Sequence, residues 1–180
     1  MTGVVDAKES TLLVPVPSAE DSVARFRKRL DPASRLGVPA HVSVLYPFAP
    51  PARLDDAAME RLSVIFEGVG AFDFELAHVG WFDERVLYLA PEPASTFVGI
   101  TNALTAGFPD YPPYGGEFPE VIPHLTLGEG ASAPRMRRAA RRVQRHLPVR
   151  ATAAEVWLMA PDGAGHWHTH HAFPLGPAGR

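Results

Sequence analysis

His41-Val42-Ser43-Val44-Leu45-Tyr46-Pro47-Phe48 decides the reading of this chain, and His124-Leu125-Thr126-Leu127 repeats its opening 83 residues later. Each stretch runs histidine, apolar, hydroxyl, apolar. β-Branched and large apolar residues dominate both, and polar and apolar side chains alternate, as on a half-buried β-strand. On such a strand His41, Ser43 and Leu45 point to one face, and Val42, Val44 and Tyr46 to the other. His124 and Thr126 share a face in the same way. Two histidine–hydroxyl pairs on two strands predict one site assembled from two halves.

The flanking sequence supplies the elements that carry these strands. Residues 12–17 read as a first strand, in which Pro15 marks an edge or a strand end. Ser18 with Asp21 has the form of a capping box, and Val23, Phe26 and Leu30 then share one helix face, with Arg25, Lys28 and Arg29 outside. Pro32 stops that helix, and Pro39 favours an extended entry to His41. Asp55 and Asp56 cap a second helix with the stripe Ala58, Met59, Leu62 and Phe66. Residues 72–82 and 86–90 form a hairpin around Asp83-Glu84-Arg85. Phe97, Ile100, Leu104 and Phe108 space as a third helix.

Residues 109–123 hold five prolines, Gly115, Gly116, Tyr111, Tyr114 and Phe118, and form a loop that delivers the chain to His124. Beyond it, Met136, Ala140, Val143 and Leu147 make a helix stripe, with six arginines between Arg135 and Arg145. Residues 149–159 read as one strand and 166–175 as the last, separated by a turn at Gly163-Ala164-Gly165. The order is α+β. It implies an imperfect duplication within a single two-lobed domain, residues 1–180, with one His-x-Ser/Thr strand per half.

Composition narrows the function. The net charge is −3, split into −4 for residues 1–90 (9 basic, 13 acidic) and +1 for residues 91–180 (8 basic, 7 acidic). So small a charge argues against coating long nucleic acid, and no DNA partner is expected. A small phosphate ligand or an RNA end remains compatible with it. The absence of cysteine excludes disulfides, thiolate metal sites and cysteine nucleophiles. Residues 1–10 carry Asp6, Lys8 and Glu9 and no apolar signal core, and no run approaches the ~18 apolar residues of a membrane span. A cytoplasmic monomer is expected.

Two imidazoles and two hydroxyls facing one cleft suit acid–base chemistry at an oxyanion. Imidazole gives or takes a proton near neutral pH, so a pair serves as base and acid in one turnover. Hydroxyls donate to oxygens whose charge grows in the transition state. Phosphodiester cleavage has these demands, with an incoming and an outgoing oxygen on one phosphorus. Neither stretch has paired carboxylates beside it to hold a metal, and no metal or cofactor is expected.

His41-Val42-Ser43-Val44 with Tyr46-Pro47-Phe48, Pro123-His124-Leu125-Thr126-Leu127, and the closing segment from Gly165-His166-Trp167 to Phe173-Pro174-Leu175 resemble the two-histidine (2H) phosphoesterase superfamily. That superfamily includes the 2′-5′ RNA ligase-like proteins and the 2′,3′-cyclic nucleotide phosphodiesterases. The resemblance implies two pseudo-symmetric lobes of antiparallel sheet with flanking helices around a cleft. It makes His41, Ser43, His124 and Thr126 the catalytic set. The implied substrate is a 2′,3′-cyclic phosphate on a small nucleotide or an RNA terminus, with 2′-5′ ligation as the alternative. Gly128-Glu129 stands where members acting on RNA ends often carry a basic residue, which favours the small cyclic phosphate. Which histidine is base and which is acid is left open.

Tyr114 and Phe118 are candidates to stack a base. Tyr46 falls on the face opposite His41 and joins the substrate contacts only if the strand twists or bulges there. The arginines of 135–145 fit a solvated helix face better than a phosphate site. In His166-Trp167-His168-Thr169-His170-His171, a strand would align His166, His168 and His170, a spacing that can ligate zinc or nickel. A metal-dependent hydrolase is the rival from this stretch, although no acidic partner is evident beside it. A non-catalytic nucleotide or RNA-end binding domain is a further rival, which would not need two proton carriers.

Overall fold

A computed structural model describes residues 8–177. Most of the segment read against a signal peptide lies outside that range. β1 (Ser10–Pro15) is flanked by β2 (His41–Phe48) and β7 (Glu155–Pro161). With β8 (Trp167–Pro174) they form an antiparallel sheet in the order β2-β1-β7-β8. β1 is therefore an inner strand, and Pro15, with no N–H to donate, sits at its end.

The second sheet holds β3 (Phe72–Phe82), β4 (Val86–Glu92), β5 (Leu125–Glu129) and β6 (Val149–Ala153), in the order β5-β4-β3-β6. The expected β3–β4 hairpin forms, with Asp83 and Glu84 at φ 46° and 55° in its turn. The strand expected over 149–159 is in fact two strands in two sheets. β6 pairs with β3, and β7, only one residue later, pairs with β1. Alternation records which face is buried and not which strand is the neighbour, so small residues at Ala153-Ala154 hide the change of sheet. The lobes are accordingly interleaved, with the second sheet inserted between β2 and β7. Each sheet carries one of the two motifs along an edge.

α1 (Glu20–Leu30) buries Val23, Phe26 and Leu30 as its stripe requires, and packs on β5 and on α5 (Ala133–Val143). Ser18 does not cap it. A 3₁₀ turn over Pro17–Ala19 runs straight into Glu20, whose carboxylate accepts the Ala40 N–H at 2.6 Å. A single turn, α2 (Pro32–Arg35), follows, capped by Asp31. α3 (Asp56–Glu67) starts as expected, with the Asp55 carboxylate accepting the Ala58 N–H at 2.8 Å.

α4 (Ser95–Gly107) packs on α3 and β2, and its Thr101 hydroxyl donates to the Val44 carbonyl at 2.8 Å. Phe97 of α4 meets Phe72 and Phe74 edge-on at 5.1 and 5.0 Å. One apolar cluster unites both sheets, through Leu12, Val42 and Phe48 on one side and Leu76, Leu87 and Leu125 on the other. Each fully buried phenylalanine in it, such as Phe66, Phe97 and Phe173, contributes roughly 1.5–3 kcal/mol. With this cluster behind both sheets, the edge strands β2 and β5 touch each other and keep their polar positions out of the core.

Candidate active site

His41 opens β2 opposite Pro15, and His124 immediately precedes β5. The two rings are held identically. His41 Nδ1 lies 2.7 Å from the Pro39 carbonyl, and His124 Nδ1 lies 2.7 Å from the Ile122 carbonyl. A carbonyl only accepts, so both Nδ1 atoms carry the hydrogen, and both Nε2 atoms keep a lone pair for the cleft. In each case the partner is two residues upstream: Pro39 is itself a proline, and Ile122 directly precedes Pro123.

The alternation predicted for the second motif holds. Leu125 and Leu127 are fully buried, while His124 and Thr126 are half-buried on the other face. In the first motif Val42 and Val44 are buried and His41 and Ser43 half-buried, as expected. The pattern then breaks. β2 bulges against β1, the register stepping from Leu13↔Ser43 to Leu12↔Leu45 to Ser10↔Phe48, so Val44 and Leu45 are both buried. The extra residue turns Tyr46 out of the core, to 37 % exposure. Its hydroxyl donates to Glu9 at 2.8 Å, and its ring lies 6.4 Å from Trp167.

A small hollow is lined by Ser43, Tyr46 and Tyr114, with Pro113 and Val121. Phe118, 54 % exposed, meets the Tyr114 ring edge-on at 5.6 Å. The loop thus reaches the first motif, and all three aromatic candidates gather there. Tyr114 sits in the left-handed region at φ 51°, unusual for a bulky residue and consistent with a loop shaped for its ring. Among the described residues, neither the Ser43 nor the Thr126 hydroxyl makes a hydrogen bond.

Four contributors were not singled out by sequence. Phe82 and Tyr88 stack on each other at 4.3 Å and cradle the His124 ring, at 5.0 and 5.4 Å. Gly80 pairs with Tyr88 across the hairpin and makes room for that ring. A glycine inside a predicted strand was the available signal. The fourth is Arg27, only 1 % exposed. It lies between Val23 and Leu30 on the apolar face of α1, with Asp31 one turn on. Its guanidinium bonds Asp31 Oδ2 at 2.7 Å, the Thr126 carbonyl at 3.1 Å and the Val38 carbonyl at 3.3 Å.

These surroundings set the proton affinities. Burial, then the Arg27 charge, pulls His41 down to about 4, and a proton on His124 lowers it further. His124 is also lowered by burial, but its carbonyl partner and Glu129 oppose the shift. Burial raises the Tyr114 hydroxyl. The two histidines therefore differ, with His41 the more firmly neutral.

The C-terminal histidines do not line up. β8 bulges between Thr169 and His171, which displaces His170 from the alternation. His168 Nε2 pairs with Asp162 at 3.0 Å, an acidic partner contributed by the preceding turn. Among the described residues no three His, Asp or Glu side chains converge as a metal site would require. The arginines of α5 lie on its outer face, away from the buried Met136, Ala139, Ala140 and Val143, and Arg137 pairs with Glu84 at 2.8 Å. A groove of about 720 Å³ runs elsewhere, along Asp73, Glu75, Glu92, Arg150 and Thr152. Three carboxylates against one guanidinium disfavour a phosphate there. No described helix is long and apolar enough to cross a membrane.

Solved structures share this fold. E. coli LigT in its apo form superposes with a TM-score of 0.60 at 17 % identity, over 95 % of this chain and 99 % of that one. E. coli LigT complexed with NADP+ gives 0.58 at 16 %, with the same coverage. TT0787 of Thermus thermophilus gives 0.63 at 20 %, over 94 % and 98 %. At such identities the likeness speaks for the fold alone. No curated protein matches the sequence significantly. The family model for the 2′-5′ RNA ligase superfamily matches residues 14–165, which span both motifs. The chain belongs to that superfamily, the two-histidine phosphoesterases.

Proposed function

We propose that this protein hydrolyses the 2′,3′-cyclic phosphate of a nucleotide or RNA end, with both proton transfers made by its own imidazoles. The observation that carries the reading is the matched pair of histidines, each fixed through Nδ1, with an unengaged hydroxyl residue two positions further along the chain. His41, the more firmly neutral, is the base. Its Nε2 takes a proton from water as the water oxygen bonds to phosphorus. His124 is the acid, giving its Nε2 proton to the ribose oxygen as the P–O bond breaks. The product is a phosphomonoester with a free ribose hydroxyl.

An anionic phosphate in the cleft favours the charged form of a neighbouring imidazole. His124, near Glu129 and not acted on by Arg27, takes that proton more readily than His41. Ser43 and Thr126 donate to the non-bridging oxygens, and Tyr46, Tyr114 and Phe118 flank the nucleoside. E. coli LigT has been crystallised with 3′-AMP and with ATP, which supports a nucleotide-sized ligand. If a ribose 5′-hydroxyl replaces water, the same proton transfers perform 2′-5′ ligation, the activity in the superfamily's name.

The test is a chromatographic panel of 2′,3′-cyclic nucleotides, short RNAs with cyclic-phosphate ends, 3′,5′-cyclic nucleotides and 2′-5′ ligation partners, run in excess EDTA. Turnover of the 2′,3′-cyclic substrates is expected. Joined RNA as the dominant product would replace hydrolysis by ligation. A strict need for added metal would overturn the mechanism.

A further inference from the structure

We propose that Arg27 is a positioning residue of this site, its buried guanidinium fastening the second motif to the segment that enters the first. Asp31, its ion-pair partner, is equally buried, at 2 % side-chain exposure each. A stabilising salt bridge needs only those two groups. This guanidinium goes further: its Nε–H, shared with Asp31, also donates to the Thr126 carbonyl, and Nη2, besides Asp31, donates to the Val38 carbonyl, two backbone groups from opposite lobes. One belongs to Thr126, the hydroxyl residue of the second motif. The other belongs to Val38, adjacent to Pro39, whose own carbonyl orients the His41 ring.

β5 is an edge strand, so the Thr126 carbonyl has no strand on its outer side. Arg27 supplies the partner that a further strand would otherwise supply. The planar fork is what lets one side chain reach Asp31, Val38 and Thr126 together, and a lysine ammonium has no equivalent geometry.

The same group carries charge. The charged and titratable groups around His41 are Arg27 with Asp31 from the α1–α2 segment, Glu20 on the Ala40 N–H, and His124 from the second motif. The Arg27 charge lowers the proton affinity of His41. Geometry and charge therefore separate experimentally. Arg27→Lys keeps the charge and loses the fork. Arg27→Gln with Asp31→Asn removes both charges, strands neither, and keeps an oxygen at position 31 to cap α2.

For each variant, the fold is checked by thermal unfolding, the His41 midpoint is read by NMR of its ring proton, and kcat and KM are measured on a 2′,3′-cyclic nucleotide. We expect kcat about 10–100-fold lower in both variants, with KM within about threefold, as a misplacement of the reacting groups produces. We expect the His41 midpoint to rise in the neutral variant and to stay in place in Arg27→Lys. Should the neutral variant not fold, Arg27→Lys decides alone. Wild-type kcat in Arg27→Lys would overturn the proposal, as would an unmoved midpoint in a folded neutral variant.

The kcat arm rests on the proposed hydrolysis, whereas the midpoint arm does not. Absence of wild-type turnover with a shifted midpoint would refute the hydrolysis and leave the Arg27–His41 coupling standing.

Discussion

Gly80→Ala is the smallest change that tests how His124 is held. A Cβ at position 80 would lie 2.5 Å from Cε2 and 2.6 Å from the hydroxyl oxygen of Tyr88. Carbon atoms in good contact are about 3.5–4.0 Å apart, so the ring must retreat by about 1 Å. Its movement is restricted by the Phe82 ring stacked on it at 4.3 Å and by the His124 ring at 5.4 Å. We expect the displacement to reach His124. A shift of about 1 Å at a reacting group costs on the order of 10² in rate, and overpacking costs roughly 1–3 kcal/mol in stability.

The expected result is a folded protein with lowered Tm and kcat down about 100-fold. In Gly80→Ala with Tyr88→Ala the clash is gone. Its kcat should match that of Tyr88→Ala alone, because a Cβ at position 80 then has no ring to displace. The assay is steady-state turnover of a 2′,3′-cyclic nucleotide alongside thermal unfolding. Wild-type kcat in Gly80→Ala would refute the claim that this aromatic cradle positions His124.

Two further outcomes follow from the site. The kcat/KM profile should be bell-shaped and centred on mildly acidic pH. His41 gains a proton as pH falls through about 4, which removes the base. His124 loses its proton as pH rises through a value held below the ordinary 6.5, which removes the acid. An optimum above pH 7.5, or a profile with one limb, would contradict these assignments. Tyr114→Ala should raise KM for a cyclic nucleotide about tenfold with kcat within about threefold, as loss of a stacking contact worth ~1–3 kcal/mol requires. An unchanged KM would show that the ring serves only to pack its loop.

The two motifs and the α+β order were legible because each rests on local periodicity, 2 along a strand and 3.6 along a helix. Asp55 as a cap and the turn at Asp83-Glu84-Arg85 were legible because each is written in a few neighbouring residues. The bulge that releases Tyr46 was not, because two adjacent buried residues, Val44 and Leu45, look the same in sequence whether a strand bulges or is buried on both faces. Nor was the change of sheet at Ala154, since pairing partners leave no mark on hydropathy.

Arg27 was legible in principle. A cation centred on an apolar stripe, with an acid one turn later, is a recognisable sign of a buried pair. Its grip on Thr126 was beyond sequence, because that contact spans 99 residues and depends on how the lobes interleave. The spacing of the C-terminal histidines misled for a related reason. A bulge at His170 and a carboxylate from the preceding turn pull the set apart.

The central claim is that His41 and His124 form one acid–base unit, and the most direct test is kcat for a 2′,3′-cyclic nucleotide in excess EDTA. Wild type would run beside His41→Ala, His124→Ala and the double variant, with each fold verified. The account predicts a loss of about 10²–10⁴ in each single variant, and a double variant within about tenfold of the weaker single, because groups acting in one step are not independent. Turnover that survives the loss of either histidine would contradict it.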